Sequence, residues 1–270
     1  MKMLKKVLIK IWNKIKYLFG KRKLENGKII NGNCWVACFD ILGFENLVNG
    51  FVKQNGEDHL DVFVRVYYYD ILKEAKRGVK QHRELLDRIE YAWFSDTFLF
   101  YIPIDKKGHA ATVIESLARQ FFLGCIWKGE EYPLRGALSA GDFYADKQNN
   151  IFVGPAFIDS YKYVEKQEWI GLVITPKACS ELQKVDLCPP DRGKYIEYEV
   201  PVKQEKIFEN NKIVIPIVTE KLFAFVMIRY PHVEDSINRM KKEAEKRGAD
   251  ESVLFKYENT IKFIRQTRLN

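Results

Sequence analysis

The sequence predicts an α+β fold, and three observations indicate it. Short apolar runs rich in β-branched and aromatic residues alternate with longer segments whose apolar residues recur at helical spacing. The order of these segments is β-α-β-β-α-β, and a two-residue polar step joins the two central strands as in a hairpin. Two charged helices are predicted at the C-terminal end. The strand and helix order is that of the ferredoxin-like split βαβ arrangement.

The individual elements follow from local patterns. The first predicted strand, residues 34–41 (CWVACFDI), is a continuous apolar run between polar segments, which is typical of a buried strand. A long helical segment, residues 45–81, follows it and is predicted to break at the Asn-Gly pair at 55–56. Further strands are predicted at 88–94, 97–102, 133–144, 170–174 and within 194–229. Further helices are predicted at 107–127, 154–167, from Pro176, at 233–247 and at 251–267.

Composition and charge exclude several classes of protein. The 270 residues carry 44 Lys and Arg against 36 Asp and Glu, a net charge of +8, and 14% of them are aromatic. A chain with so many aromatic residues is not intrinsically disordered. Residues 1–23 hold nine of the basic residues and no acid, so the other 247 carry 35 bases against 36 acids. Because the body is nearly neutral and lacks a zinc-finger or helix-turn-helix signature, no nucleic-acid partner is expected.

Residues 1–23 are predicted to form one basic amphipathic helix. Apolar residues recur at i, i+3, i+4 and i+7, while lysines interrupt every apolar run, so neither a membrane span nor a signal peptide is predicted. Two interpretations stay open. The apolar stripe packs against the protein or a partner chain, or residues 1–19 make peripheral contact with an anionic membrane. Residues 24–33 are predicted to be a linker, and residues 231–270 a C-terminal helical extension.

The cysteines favour a reduced, cytoplasmic environment. They are odd in number, scattered and without a CxxC pair, which argues against a disulfide framework or a zinc knuckle. The expectation is five small buried apolar side chains. They are Cys34, Cys38, Cys125, Cys179 and Cys188.

Two aspartates follow apolar runs at the points where chemistry is expected. Asp40 ends the first strand, and Gly43 then opens a turn into a helix, so its carboxylate would lie near helix N-terminal amides, where anions and metals collect. Asp96 stands at the hairpin tip, which lies beside the first strand in the split βαβ order. Two adjacent carboxylates need a shared proton or a bridging cation, and Mg²⁺ or Mn²⁺ takes such ligands together with phosphates. The alternative is a capping Asp40 and an ordinary turn Asp96.

Two further segments carry charged residues of interest. Arg135 lies on a predicted strand among small residues (LRGALSAGD), which suits a phosphate contact or, alternatively, an ion pair with a nearby acid. Asp159, Lys162 and Tyr163 stand at i, i+3 and i+4 on one face of a predicted helix. The alternative for that face is ordinary solvation.

The ordered set of these segments resembles the catalytic domain of class III nucleotidyl cyclases. The segments are FDILGF (39–44), the hairpin aspartate at 96, LRGALSAGDFY (134–144), GPAFIDSYKYVE (154–165) and GLVITPKA (171–178). The resemblance covers residues 34–180, and the predicted catalytic domain extends over residues 34–230. These motif sequences are most similar to those of bacterial pyrimidine cyclases of the Pycsar antiphage system, which make cyclic UMP or cyclic CMP as an alarm signal.

This resemblance implies a two-metal cyclisation of a nucleoside triphosphate. Asp40, Asp96 and the Ile41 carbonyl would hold two divalent cations, Mn²⁺ or Mg²⁺. The 3′-hydroxyl would attack the α-phosphorus, pyrophosphate would leave, and backbone amides of residues 41–44 would cradle the triphosphate. The active sites would form at the interface of a head-to-tail homodimer. The residues implied to contact substrate are Phe39, Leu42, Gly43, Phe44 and Arg135.

Lys162 and Asp159 are the catalytic side chains that the resemblance implies. Purine cyclases carry an Asn and, four residues later, an Arg on this helix. Lys162 stands at the Arg position without a gap. The Asn position then falls on Ile158, or on Asp159 after a one-residue shift. A lysine supplies charge there but not a bidentate fork.

The residues that read a purine base in the family are absent. Their positions hold Ala92 and Phe152, and neither side chain can hydrogen-bond a base edge. A pyrimidine triphosphate is therefore predicted, UTP in preference to CTP. A purine cyclase with an altered pocket and an inactive nucleotide-binding module stay open as alternatives. The predicted walls of the base pocket are Trp93, Tyr161 and Tyr163.

Overall fold

The computed structural model describes residues 29–56, 59–127, 132–188, 194–204, 207–209, 212–214, 216–227, 230 and 232–268. The predicted amphipathic helix, residues 1–23, and residues 24–28 of the predicted linker lie outside these ranges. Residues 29–33 of that linker are strand instead, because this segment pairs in register with residues 142–146.

The strands and helices lie close to their predicted positions. The strands are β1 (Ile29–Ile41), β2 (Glu90–Phe94), β3 (Thr97–Pro103), β4 (Leu134–Asp146), β5 (Ile151–Val153), β6 (Leu172–Ile174), β7 (Tyr195–Lys203), β8 (Ile207–Glu209), β9 (Lys212–Val214) and β10 (Ile217–Phe225). The helices are α1 (Phe44–Asn55), α2 (Leu60–Val64), α3 (Ile71–Gly78), α4 (His109–Trp127), α5 (Pro155–Lys166), α6 (Pro176–Gln183), α7 (Val233–Lys246) and α8 (Glu251–Arg268). A π-helical turn, Arg65–Asp70, joins α2 to α3, and a 3₁₀ turn, Arg83–Arg88, precedes β2.

One mixed sheet organises the molecule. Its strand order is β2-β3-β1-β4-β6-β10-β7, and β5 pairs with β4. The first strand lies between the hairpin strand β3 and β4, antiparallel to both, whereas β4 and β6 are parallel. This order confirms the predicted α+β class and its split βαβ core.

The two faces of the sheet differ in what covers them. Side chains alternate along β1, so Cys38 and Asp40 share one face, called here the Asp40 face, and Phe39 points to the other. Helix α5 packs on the Asp40 face against β1 and β4. Helix α4 packs on the opposite face, where Phe121 lies 5.3 Å from Phe39 between ring centroids.

The C-terminal helices belong to the same core as the sheet. Phe263 of α8 is fully buried and meets Trp169 edge-on, with ring centroids 4.8 Å apart. The amide of Ile170 donates to the Thr260 hydroxyl over 2.7 Å. The described part of residues 231–270 therefore packs into the same hydrophobic core as the sheet.

The five cysteines are free of disulfide bonds. Cys34, Cys38 and Cys125 are buried as expected, whereas the expectation of burial is wrong for Cys179 and Cys188, which are partly exposed. Among the helices in the described ranges, none is long and apolar enough to cross a membrane.

Candidate active site

Asp40 and Asp96 come together at one end of the sheet. Asp40 is the penultimate residue of β1 and stands opposite Thr97 of β3 and Arg135 of β4. Asp96 occupies the β2–β3 turn, and the Ile41 amide donates to the Asp96 carbonyl over 3.1 Å. The sheet order thus unites two carboxylates that are 56 positions apart in the sequence.

The surroundings of Asp96 penalise its charge. Burial raises the pKa of the Asp96 carboxyl, and the nearby Asp40 charge raises it further. Hydrogen bonds from its own backbone amide and from Thr97, together with the Arg135 charge, offset part of this increase. A cation placed between the two carboxylates would relieve the same penalty.

The donor set fits a hard divalent cation that shares its ligands with a substrate. Two carboxylates contribute side-chain oxygens, and no group of three or more His, Cys, Asp or Glu suited to a metal occurs among the described residues. Mg²⁺ and Mn²⁺ keep waters and bind substrate phosphates in such sites. Asp40 and Asp96 would therefore hold the ion together with a backbone carbonyl, phosphate oxygens and water.

Arg135 makes an ion pair with Asp40. One guanidinium nitrogen donates to Asp40 Oδ2 over 2.5 Å, and the other donates to the carbonyls of Glu165 and Gln167, each over 3.1 Å. The two side chains are only 11% and 18% exposed. The sequence suggested two roles for Arg135, a phosphate contact and an ion pair with a nearby acid. The structure contains the ion pair.

The predicted phosphate cradle needs a correction in its first half. The amide of Ile41 is bound to Asp96, and the amide of Leu42 donates to the Pro133 carbonyl over 2.9 Å. Gly43 follows in a left-handed conformation, φ 71°, and no side chain caps the start of α1. Because the first amides of a helix have no intrahelical acceptor, the amides near Gly43 and Phe44 are available and those of 41 and 42 are not.

The side chains of this loop are structural. Phe39 is fully buried and packs against Phe100 and Phe121 on the face opposite Asp40. Leu42 and Phe44 are partly buried and pack against the core. Contacts of these three residues with a substrate would therefore be limited to the backbone.

Of the predicted base-pocket walls, only Tyr161 lies near Asp40. Its hydroxyl donates to Glu165 over 2.9 Å. Its pKa is raised to about 12 by that hydrogen bond first, then by partial burial and by the charges of Glu165 and Asp40. The Tyr163 hydroxyl instead donates to Glu220 of β10 over 2.7 Å, which lies three strand spacings from β1, or roughly 14 Å.

Trp93 lies on the face of the sheet opposite Asp40, whereas its neighbour Phe94 lies on the Asp40 face. The Trp93 ring packs among Tyr68, Tyr69 and Phe98 on the face opposite Asp40. Phe94 stands opposite Thr97, which stands opposite Asp40, so Phe94 lies on the Asp40 face. Because side chains alternate along a strand, only one of these two adjacent aromatic residues can share a face with Asp40.

Asp159 and Lys162 are not brought to Asp40 within one chain. Asp159 accepts a hydrogen bond from Ser139 over 2.7 Å and lies 3.6 Å from the Lys177 ammonium. Ser139 is four residues from Arg135 along β4, a separation of roughly 13 Å. Lys162 is exposed on α5.

Tyr68 is a residue of this site that sequence reasoning missed. It lies in the π-helical turn, and its hydroxyl donates to the Ser95 carbonyl over 2.5 Å. Burial raises its pKa, and the Asp96 charge raises it further. No local signal points to it, since 27 positions separate Tyr68 from the turn that it holds.

Comparisons with known proteins give structural likeness alone. No protein-family model matches the sequence, and no curated protein matches it. The catalytic core of a rhodopsin-guanylyl cyclase with converted specificity, solved in complex with ATPalphaS, is similar over 74% of this chain and 98% of its own, with 13% identity and a TM-score of 0.46. The adenylyl cyclase CyaB from P. aeruginosa is similar over 74% of this chain and 96% of its own, at 11% identity and a TM-score of 0.43.

The guanylyl cyclase Cya2 is similar over 75% of this chain and 94% of its own, with 12% identity and a TM-score of 0.42. The three solved structures are thus adenylyl and guanylyl cyclases. At such identities and TM-scores, the likeness alone assigns neither an activity nor a substrate to this chain.

Proposed function

We propose that the chain is a nucleotidyl cyclase that converts a nucleoside triphosphate to its 3′,5′-cyclic monophosphate and pyrophosphate. The observation that carries this proposal is the pairing of Asp40 with Asp96 next to the uncapped start of α1. Two carboxylates bind divalent cations, and helix N-terminal amides bind phosphate, so one corner of the sheet offers both halves of a metal–triphosphate site.

The aspartates and the backbone amides would have separate roles in the reaction. Two divalent cations, Mn²⁺ or Mg²⁺, held by Asp40, Asp96 and the Ile41 carbonyl would activate the 3′-hydroxyl and neutralise charge on the phosphates. The amides near Gly43 and Phe44 would orient the triphosphate. The 3′-oxygen forms a bond to the α-phosphorus, the bond to the bridging oxygen breaks, pyrophosphate leaves and the hydroxyl proton passes to solvent.

We favour a pyrimidine triphosphate as the substrate, UTP in preference to CTP. The cyclic product would serve as a signal in antiphage defence. Ala92 and Phe94 lie on the Asp40 face of β2, and Phe152 packs against Phe94 with ring centroids 5.2 Å apart. None of the three side chains can read a purine edge by hydrogen bonds. An apolar, aromatic shelf supports a small base held by stacking.

A homodimer with shared active sites would account for the position of Lys162, which lies away from Asp40 of its own chain. Lys162 is exposed, so it is free to reach a second chain. Mixing the Asp40→Ala and Lys162→Ala proteins should restore activity, because one of the two composite sites then regains both groups. A mixture that stays inactive although heterodimers form would contradict shared sites.

An inactive nucleotide-binding module is the second candidate function. The contact of Arg135 with Asp40 favours it, because a paired carboxylate has less capacity to hold a metal.

Incubation of the purified protein with each of the four NTPs and Mn²⁺, followed by separation of the products, decides between these functions. Cyclic UMP or cyclic CMP would support the proposal, whereas cyclic AMP or cyclic GMP as sole product would refute the pyrimidine part. Binding without product would support the inactive module. Asp40→Asn and Asp96→Asn should each abolish turnover, and the exposed Asp142→Asn should not.

A further inference from the structure

We infer that Arg135 is a positioning residue that acts as an internal counter-cation: it holds Asp40 while the site has no metal and must release it before a divalent cation binds. This inference rests on the proposed metal site. It adds a resting state in which the protein supplies its own cation.

The contact is built into the sheet. Asp40 and Arg135 are direct cross-strand partners of β1 and β4, so their side chains leave the same face at the same level. Both side chains are largely buried, where an ion pair is screened less than at a surface. The pair is therefore a persistent feature, in contrast to exposed ion pairs that contribute little.

Arg135 has a second set of partners that would retain it after release. Its other guanidinium nitrogen is bound to the carbonyls of Glu165 and Gln167, at the C-terminal end of α5. This is the negative end of the helix dipole, which favours a cation. The guanidinium therefore has somewhere to stay when Asp40 turns to a metal.

The Nε–H donor of the guanidinium is unused within the part of the chain that the structure describes. The Nε of Arg135 is buried and has no hydrogen-bond partner among the described residues. A buried donor without an acceptor costs free energy, so the resting arrangement is not the best one for this side chain. Rotation away from Asp40 would give Nε access to another acceptor, such as a phosphate oxygen of the substrate.

The inference makes metal binding a competition. A metal needs the same Asp40 oxygen that Arg135 holds, so the apparent affinity is lowered by the fraction of protein in which the pair is closed. Removal of Arg135 should therefore raise the Mn²⁺ affinity and lower the stability of the metal-free protein, which would keep two uncompensated carboxylates. An arginine that does not compete for the Asp40 oxygen would affect Mn²⁺ binding only through its charge, which Arg135→Lys preserves.

The test measures Mn²⁺ binding to the full chain without nucleotide, by electron paramagnetic resonance of the free ion, for the wild type and Arg135→Gln. We expect binding about tenfold tighter in Arg135→Gln, which corresponds to a closed pair in about 90% of the metal-free wild type. The matched control is Arg119→Gln, which removes another buried arginine from an ion pair, with Glu115. It should reduce stability and leave Mn²⁺ affinity unchanged.

If Arg135→Gln does not fold, Arg135→Lys serves instead, because it keeps the charge and loses the second arm of the fork. It should bind Mn²⁺ more tightly than the wild type. Equal affinity in the wild type and the variants would overturn the inference. The proposed function would not be affected by this result, because the four-NTP assay tests it separately. Absence of Mn²⁺ binding from wild type and variants alike would overturn the inference together with the metal site.

Discussion

The amide of Ile41 is hydrogen-bonded to the carbonyl of Asp96, and this backbone contact fastens the end of β1 to the β2–β3 turn. The main chain therefore brings the two carboxyl-bearing residues close together. The negative charge of Asp96 is disfavoured as a result, and the pKa of its carboxyl is raised by burial and by the Asp40 charge.

Replacement of Asp96 by Asn should stabilise the metal-free protein at neutral pH, by a few degrees in melting temperature. A carboxyl whose pKa is raised by folding destabilises the folded state in full above its folded-state pKa, and the penalty is lost as the pH falls from there through the ordinary value of 3.8. The gain from Asp96→Asn should therefore shrink over this range and vanish below 3.8, where the acid is protonated in both states. Thermal unfolding of both proteins over this pH range measures it.

The control for this prediction is Asp142→Asn, which alters an exposed aspartate and should leave the melting temperature unchanged at every pH. Added Mn²⁺ should raise the melting temperature of the wild type more than that of Asp96→Asn. A lower melting temperature for Asp96→Asn at neutral pH without metal would contradict the electrostatic account.

Gly136 should not tolerate a side chain. A Cβ there would lie 2.5 Å from the ring of Phe39 and 3.0 Å from Leu172 Cδ1. Phe39 is fully buried against neighbouring aromatic rings and cannot give way. Gly136→Ala should therefore lower the free energy of unfolding by about 1–3 kcal/mol, as overpacking does. Chemical denaturation of the two proteins gives the difference.

Gly50 offers the matched control. It lies inside α1, and a Cβ there would meet no atom within 4 Å. Gly50→Ala should stabilise the protein by about 0.5–1 kcal/mol through helix propensity. Adding Phe39→Leu to Gly136→Ala should recover part of the loss. Equal effects of the two Gly→Ala changes would show that the contact with Phe39 is not the cause.

The fold was predictable because its signals are local. The apolar run that ends at Asp40, the polar step before Thr97 and the helical period of 107–127 each depend on neighbouring residues alone. The sheet order then followed from the split βαβ arrangement and brought the two aspartates together.

The side-chain detail of the site was less predictable because it depends on register and on distant contacts. Trp93 and Phe94 are equally aromatic, and only the pairing of β2 with β3 decides which shares a face with Asp40. For Arg135, the sequence allowed two interpretations, a phosphate contact and an ion pair, and did not decide between them. Tyr68 had no local signal at all.

Tyr68→Phe should weaken the turn that carries Asp96. The change removes a partly buried hydrogen bond to the Ser95 carbonyl, at a cost of about 1 kcal/mol, and keeps the ring. Ser95 has a left-handed conformation, φ 58°, so its turn depends on outside support. Thermal unfolding should show the loss, and Mn²⁺ affinity should fall with it.

Tyr91→Phe is the control for Tyr68→Phe. Tyr91 stacks on Trp93 nearby, and its hydroxyl makes no hydrogen bond within the described part of the chain. It should change neither the melting temperature nor Mn²⁺ binding. If Tyr68→Phe also left Mn²⁺ affinity unchanged while lowering stability, Tyr68 would be a packing residue with no part in placing Asp96.

Thr260→Val should destabilise the whole protein although it lies in the C-terminal helix α8. The hydroxyl accepts from the Ile170 amide over 2.7 Å and is fully buried, so valine would leave that amide without a partner. A buried donor left unsatisfied costs about 1–3 kcal/mol. The unfolding transition should stay single and shift as one, because α8 shares the core of the sheet.

Thr267→Val is the matched control on the same helix, since the Thr267 hydroxyl donates, among the described residues, to the carbonyls of Phe263 and Ile264 in its own helix. Its effect should be much smaller. Truncation after residue 230 should leave no stable fold, because it removes Phe263 from its contact with Trp169. A truncated protein that melts cooperatively and retains Mn²⁺ binding would contradict this prediction. It would show that the C-terminal helices are a separate extension and that residues 34–230 form the complete fold of the site.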